Sequence, residues 1–376
     1  MPLPKTLTII RFGFFLLIAL GSAVLAHFII YTATVAAWPI SWPVPRAAIQ
    51  IVLGILGAAS VAILLIVSRY NTKVTRTAYR IIAVWMGLFV YFFFASFFYG
   101  IIVGLGNLAG VHDTFAWSGR LLGIAAILAG IYGLIHAHSI KEKRIKLALP
   151  SLPAFWKGKR AVFISDIHLG QIRGAEFSRR IADRVNAAQP EIVFIGGDLY
   201  DGVKIDEHVV VAPLASMKPP HGVYFVTGNH EEFSDSSNFL KAIRGLGIRV
   251  LLNELVDVNG LQIVGVTDHD SVEREKLTQI LAALPIDRSR ASIFLKHQPS
   301  YLDIPEQAGL SIQISGHTHR AQQFPLNVLP YLIYKGYSYG LKRFKNMQVY
   351  TSSGVGSWGP PMRVGSDSEI VVIEFV

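Results

Sequence analysis

Apolar residues fall along this chain in two rhythms. Through the first 140 positions they run almost unbroken, in four charge-free stretches at 12–45, 47–68, 81–112 and 121–140. Each is long enough to cross a hydrocarbon core of about 30 Å, so four transmembrane helices are predicted. The first stretch contains a small-residue sequence, Val24-Leu25-Ala26, but its apolar run continues to Val35. It therefore reads as a retained anchor and not as a cleaved signal peptide. Pro39, Pro43 and Pro45, with Trp38 and Trp42, predict an interfacial turn after it, and the aromatic residues crowding the third stretch predict a lipid-facing surface. From Ala161 onward the rhythm changes to short apolar runs alternating with helical segments. Buried strands are predicted at Ala161–Ser165, Glu191–Gly196, Val223–Thr227, Leu261–Val266, Ser292–Lys296, Ser311–Ser315, Gln348–Thr351 and Ile370–Phe375. Helices are predicted at Glu176–Ala188 and Ser236–Leu246. A βαβ start succeeded by further strands indicates a mixed α/β sandwich.

Charge divides the chain at the same place. Hydrophobic residues make up 52% and charged residues 16%, against about 25% charged in a soluble chain. Residues 1–140 hold eight Lys/Arg and one acid, Asp113, whereas 141–376 hold 27 basic and 24 acidic residues. The high pI of 9.6 is thus largely a membrane-flank effect. No interleaved basic and aromatic stripe of the kind nucleic acid requires is present. The absence of cysteine excludes disulfides, zinc knuckles and thiol catalysis. Lys5, Arg11, Arg69, Lys73, Arg76, Arg80, Lys141, Lys143, Arg144 and Lys146 flank the stretches on one side, and only Arg46 and Arg120 on the other. The positive-inside rule then predicts both termini, and the domain after the fourth span, in the cytoplasm. No acid lies within any span, and the ionisable candidates there are a few histidines such as His27, His136 and His138, which argues against a transporter. Residues 141–160 carry seven basic residues and one acid, broken by Pro150 and Pro153. They predict a basic juxtamembrane linker held to anionic lipid at about 1 kcal/mol per cation. The expected organisation is a four-helix transmembrane domain at 1–140, this linker at 141–160 and an α/β domain at 161–376.

The residues that can do chemistry gather just past the strand ends. The first strand ends in Asp166-Ile167-His168, the second in Gly197-Asp198-Leu199-Tyr200-Asp201, the third in Gly228-Asn229-His230-Glu231. Two later strands end in His297 and in Gly316-His317-Thr318-His319. In an α/β fold strand ends converge on one edge of the sheet, where sites form. Five strands delivering Asp, His and Asn to that edge make a dense oxygen and nitrogen ligand set, and each preceding glycine lets the backbone turn sharply.

The series D-x-H, G-D-x-x-D, G-N-H-E, H and G-H-x-H resembles the calcineurin-like metallophosphoesterase superfamily in full, over roughly 161–376. The resemblance implies an αββα sandwich and two divalent metal ions. Asp166, His168 and His319 would hold the first, and Asn229, His297 and His317 the second, with the Asp198 carboxylate bridging both. A carboxylate and imidazole set without thiolate suits manganese, with iron or zinc as alternatives. His230 resembles the general acid that protonates the leaving alkoxide, and Asp201 would hydrogen-bond its ring; a helix cap is the other reading of Asp201. Arg320 and Arg363 are candidate substrate contacts, a surface ion pair being the other reading of Arg320. The membrane region and the stretch Ser353–Arg363 are similar to a bacterial membrane-anchored branch related to UDP-diacylglucosamine hydrolases. That likeness implies an inner-membrane enzyme acting on a lipid or lipid-linked phosphate, with UDP-diacylglucosamine, cleaved to lipid X and UMP, as one candidate. Phospholipids, isoprenoid phosphates, soluble nucleotides and phosphoproteins are the others. A non-catalytic membrane scaffold would be expected to lose ligands, yet every position is filled. The sequence carries no sign of oligomeric state. Finally, 324–345 mixes many aromatic and aliphatic residues with Lys335, Lys342, Arg343 and Lys345. It predicts a segment at the membrane interface, packing into the domain core being the alternative.

Overall fold

A computed structural model describes residues 5–38, 45–111, 115–201, 205–232 and 237–376, with the backbone alone given for 5–19. The predicted interfacial turn containing Pro39, Trp42 and Pro43 lies outside these residues. The chain divides into two compact units, one formed by the segments up to 66 and 77–132, the other by 67–76 and 133–376.

The first unit is built on four long helices, α1 (Lys5–Ala37), α2 (Arg46–Val67), α3 (Lys73–Leu108) and α4 (Ala116–His136). All four are long and apolar enough to cross a membrane. The 36 residues of α3 span about 54 Å at the usual helical rise, more than a bilayer core requires, because its first turns carry Lys73, Arg76 and Arg80. Val24, Leu25, Ile55 and Leu65 are exposed, as lipid-facing side chains are. The aromatic residues of α3 do not form one lipid-facing surface as expected. Phe97 and Phe98 are exposed, but Tyr91 and Tyr99 are buried, and Phe89 stacks on His27 with ring centres 4.7 Å apart.

Among the described residues the second unit contains twelve strands: β1 (Ile140–Leu147), β2 (Arg160–Ile164), β3 (Ile192–Ile195), β4 (Val223–Phe225), β5 (Arg249–Val250), β6 (Glu254–Val258), β7 (Leu261–Gly265), β8 (Ser292–Leu295), β9 (Ile312–Ser315), β10 (Gly340–Phe344), β11 (Met347–Thr351) and β12 (Ser368–Phe375). They form two six-stranded sheets, ordered β1-β12-β2-β3-β4-β5 and β10-β11-β9-β8-β7-β6. Strands β2 to β5 are mutually parallel, as are β7, β8, β9 and β11. The period-two alternation of each inner strand is what stacks the layers. Ala161 and Phe163 of β2 and Ile192 and Phe194 of β3 point between the sheets, where they meet Ile293, Leu295, Ile312 and Ile314. Their neighbours Val162, Ile164, Val193 and Ile195 point outward against Ile181 and Val185 of the helix α5 (Ala175–Ala187). On the far side Val264 and Phe294 face Leu277 and Leu281 of the helix Arg274–Ala283. This is the αββα sandwich expected.

The basic linker is a correction. Residues 140–147 form β1, paired in parallel with β12 over its full eight residues. Its side chains are mostly exposed, so it reads as a charged run, while its backbone hydrogen bonds belong to the sheet. His136, at the end of α4, bonds Asp367 at 2.8 Å, and Lys141 pairs with the same carboxylate.

Candidate metal centre

The parallel strands deliver their C-terminal ends to one place. From the first sheet come Asp166 and His168 after β2, Asp198 and Asp201 after β3, and Asn229 and His230 in the short helix after β4. From the second come His297 after β8 and His317 and His319 after β9. The backbone bends hard at these points. Asp166, His168, Asp198, His317 and His319 have φ of 53°, 53°, 49°, 69° and 46°, a left-handed conformation that costs a non-glycine residue about 1–3 kcal/mol. Two glycines permit the close approach that results. A Cβ on Gly228 would overlap the Asp198 carboxylate, and one on Gly316 the Asp166 carboxylate.

Three overlapping groups of donor atoms form: Asp166, His168 and His319; His168, Asp198 and His230; and Asp198, His297 and His317. The Nε2 atoms of His168 and His319 are 2.9 Å apart. His319 Nε2 lies 3.5 Å from Asp166 Oδ1. Asp198 Oδ2 lies 3.2 Å from His297 Nε2 and 3.8 Å from His168 Nε2. His317 Nδ1 is 2.9 Å from Asn229 Oδ1 and 3.2 Å from His297 Nε2. Two nitrogens bound at right angles to one cation, each about 2.1 Å from it, would be about 3 Å apart. The donors fit a pair of metal ions in both spacing and chemistry.

Their protonation tells the same story. Burial, with His168 and Arg363 nearby, pushes the His319 imidazole well below its ordinary value. Burial and His297 push His317 down to about 3. Both rings are therefore neutral, as ligands must be. Burial also raises the Asp166 carboxyl, while burial opposes a charge on His297 but the adjacent Asp198 carboxylate outweighs it and holds its pKa up. A buried mixture of carboxylates and imidazoles competing for protons is the environment a divalent cation resolves.

Outer partners fix the rings. His297 Nδ1 bonds the Gly196 carbonyl at 2.7 Å, which turns Nε2 toward Asp198. The expected Asp201–His230 contact is present only through the backbone: His230 Nδ1 donates to the Asp201 carbonyl at 3.2 Å. The Asp201 carboxylate instead lies 3.2 Å from His168 Nδ1, and 3.9 Å from His230 Nδ1. One residue thus orients both histidines, its side chain taking His168 and its carbonyl His230. Trp358, which the sequence did not single out, stands edge-on to His230 with ring centres 6.0 Å apart.

Glu231 has a role that sequence reasoning missed. It is buried, and its carboxylate accepts the backbone N–H groups of Asp198, Tyr200 and Gly228 at 2.9, 3.0 and 2.7 Å. It ties the β3 and β4 loops together beneath Asp198. Burial, then the nearby Asp198 charge, lifts its carboxyl to about 8. Its place directly after Asn229-His230 is the only signal in the sequence.

The two candidate substrate arginines separate. Arg363 is fully buried. It donates to the carbonyls of Ser353 and Asp367 at 2.7 Å each and to those of Gly354 and Gly356, and reaches Ser366 Oγ at 3.2 Å. With its donors taken by the loop it braces, and one NH2 group 3.4 Å from His319 Nδ1, it holds the backing of His319. Arg363→Met should therefore lower thermal stability, because several buried carbonyls each lose a partner at about 1–3 kcal/mol; substrate KM measured at a temperature where the variant is folded should change little. Arg320 makes no ion pair among the described residues; its guanidinium lies over the Tyr339 ring, 4.8 Å from the centre.

Comparison with known proteins agrees with this geometry. Residues 159–321 match the family model for calcineurin-like phosphoesterases. The chain is 31% identical over 316 residues to a transmembrane protein with metallophosphoesterase domain from Danio rerio, covering 77% of this chain and 71% of that one. It is 29% identical over 294 residues to an uncharacterized metallophosphoesterase of Helicobacter pylori, covering 77% and 79%. A further uncharacterized metallophosphoesterase, from Aquifex aeolicus, is 30% identical over 260 residues, covering 66% and 96%.

Proposed function

The chain belongs to the calcineurin-like phosphoesterase family, and from that premise we propose a membrane-anchored dinuclear enzyme that hydrolyses a phosphate ester or pyrophosphate of a lipid or lipid-linked substrate. That it is a metal-dependent phosphoester hydrolase with four helices able to span a membrane follows from its relatives and its helices. The lipid substrate, the metal assignments and the cytoplasmic face belong to the proposal.

The observation that carries it is Asp198, whose carboxylate belongs to two of the three donor groups at once. Asp166, His168 and His319 would hold one ion, Asn229, His297 and His317 the other, and Asp198 both. Manganese suits the set, with iron or zinc as alternatives. Two such ions would supply a hydroxide at neutral pH and neutralise charge on the phosphate. His230 commits its Nδ1 proton to the Asp201 carbonyl, so Nε2 is the atom through which it gives a proton to the leaving oxygen. Giving that proton requires the doubly protonated ring, whose charge burial disfavours and the Asp198 carboxylate supports.

Four spans in the same chain favour a substrate that resides in the bilayer, and UDP-diacylglucosamine is one such pyrophosphate. The ten-to-two distribution of Lys and Arg supports a cytoplasmic domain in a bacterial inner membrane. In the test, manganese-loaded full-length protein is incubated with total membrane lipid, and the phosphorus-containing species are followed by 31P NMR. Loss of a lipid phosphorus signal is expected; turnover confined to added soluble nucleotides or phosphoproteins would overturn the lipid assignment. A reporter fused after Val376 should behave as cytoplasmic, and protease access to the domain from outside intact cells would reverse the orientation.

A further inference from the structure

Between His319 and β11 the chain leaves the sandwich and forms a short helix, Val328–Ile333, before returning as the edge strand β10. Of the helix's six residues only Pro330 is buried. Val328, Leu329, Tyr331, Leu332 and Ile333 are 52–69% exposed, and Phe324 just before them is 58% exposed. Packing into the core, the alternative reading of this segment, is seen for Tyr337 and Phe344, which lie against the outer layer of the second sheet. No acid occurs between Phe324 and Lys345, whereas Lys335, Lys342, Arg343 and Lys345 do.

This apolar edge adjoins the metal centre. The Tyr334 ring, at the end of the helix, stands edge-on to His317 with centres 6.1 Å apart. Behind the helix lies a cavity of about 270 Å³ lined by Arg320, Asn327, Tyr331, Ser338, Tyr339 and Lys342, among others. Arg320 directly succeeds His319 in the chain. The side-chain oxygen of Asn327 is buried there without a hydrogen-bond partner.

We propose that the helix Val328–Ile333 and Phe324 insert among the acyl chains of an anionic leaflet, and that Arg320 and Lys342 seat a phospholipid headgroup in the cavity behind them. The occupant is a bilayer because the chain itself carries four helices able to cross one, and because a border carrying Lys335, Lys342 and Arg343, with Lys345 paired to Glu306, complements anionic headgroups. The same border repels an identical border on a second copy. This rests on the hydrolase reading only for its purpose, which is to let a phosphate reach the metals while its acyl chains stay in lipid.

The chain has no cysteine, so Leu332→Cys accepts a single nitroxide. In full-length protein reconstituted in nanodiscs of phosphatidylglycerol and phosphatidylcholine, that label should be reached by oxygen and shielded from a water-soluble nickel chelate. The same label at the exposed Val209 reports the aqueous baseline. Equal nickel access at both positions would overturn the proposal, as would shielding at 332 that disappears when each disc holds one copy. Discs of phosphatidylcholine alone, or Arg320→Ala with Lys342→Ala, should weaken the shielding. Leu332→Glu with Ile333→Glu should lower turnover of a bilayer-embedded phosphodiester, relative to soluble bis(p-nitrophenyl) phosphate, by about tenfold. An unchanged ratio counts against the insertion. Absence of turnover on both substrates by the unaltered protein defeats the hydrolase reading and leaves the label depths to decide this one.

Discussion

Replacing Asp198 by Asn is expected to deplete both metal positions and to abolish hydrolysis. The amide keeps the shape of the side chain but removes the negative charge shared by the two donor groups. It also loses one of two acceptor oxygens, of which Oδ1 already takes the His230 backbone N–H at 2.9 Å. The remaining donors are His297, His317 and Asn229 on one side, all neutral as ligands, which hold a divalent cation poorly without a carboxylate. Metal content of the purified variant, measured by mass spectrometry, should fall at both equivalents. Asp201→Asn provides the scale. Asp201 acts on His168 from outside the donor set, where loss of a partner costs roughly 10–100-fold in affinity or activity, and Asp198→Asn should exceed it. Two retained metal equivalents in Asp198→Asn would show that the carboxylate does not bridge.

The second large effect separates chemistry from binding. His230→Ala should keep both metal equivalents, since His230 is not among the ligands assigned, and lose turnover by roughly 10²–10⁴-fold, the usual contribution of a positioned acid or base. The loss should shrink as the leaving group becomes more acidic, because a phenolate of low pKa departs without a proton. A series of aryl phosphodiesters measures this directly. Undiminished turnover in His230→Ala, or a loss independent of the leaving group, would remove it from proton transfer.

The strands visible in the sequence and those missed divide by position in the sheets. The eight predicted strands correspond to β2, β3, β4, β7, β8, β9, β11 and β12, and all lie inside a sheet. The four missed, β1, β5, β6 and β10, are the four sheet edges. Inner strands are covered on both faces and so carry continuous apolar runs such as Ile192–Ile195. An edge strand faces water, and Lys141, Lys143 and Lys146 of β1 or Lys342 and Arg343 of β10 make it look like a loop or tether. The site was legible for a related reason. Its residues sit in short motifs at the ends of inner strands, so their spacing is fixed by turns that leave little freedom. The supporting contacts were not, because they come from backbone groups and distant loops. Nothing local to Arg363 announces that it braces His319 across 44 positions, or that Asp201 divides its carboxylate and carbonyl between two histidines.

The pairing of β1 with β12 also decides where the catalytic half could be cut from its anchor. A fragment starting at residue 159, where the family likeness begins, lacks β1 and leaves all eight residues of β12 facing solvent along one edge. That strand, Ser-Glu-Ile-Val-Val-Ile-Glu-Phe, is largely apolar and buried in the intact chain, the composition that recruits strands from other molecules. In the full chain this edge is closed by β1, whose outward cations Lys141, Lys143 and Arg144 discourage further strands from adding. The eight residues that first look like a tether therefore act as a solubility guard, and a self-standing catalytic fragment has to begin upstream of Ile140.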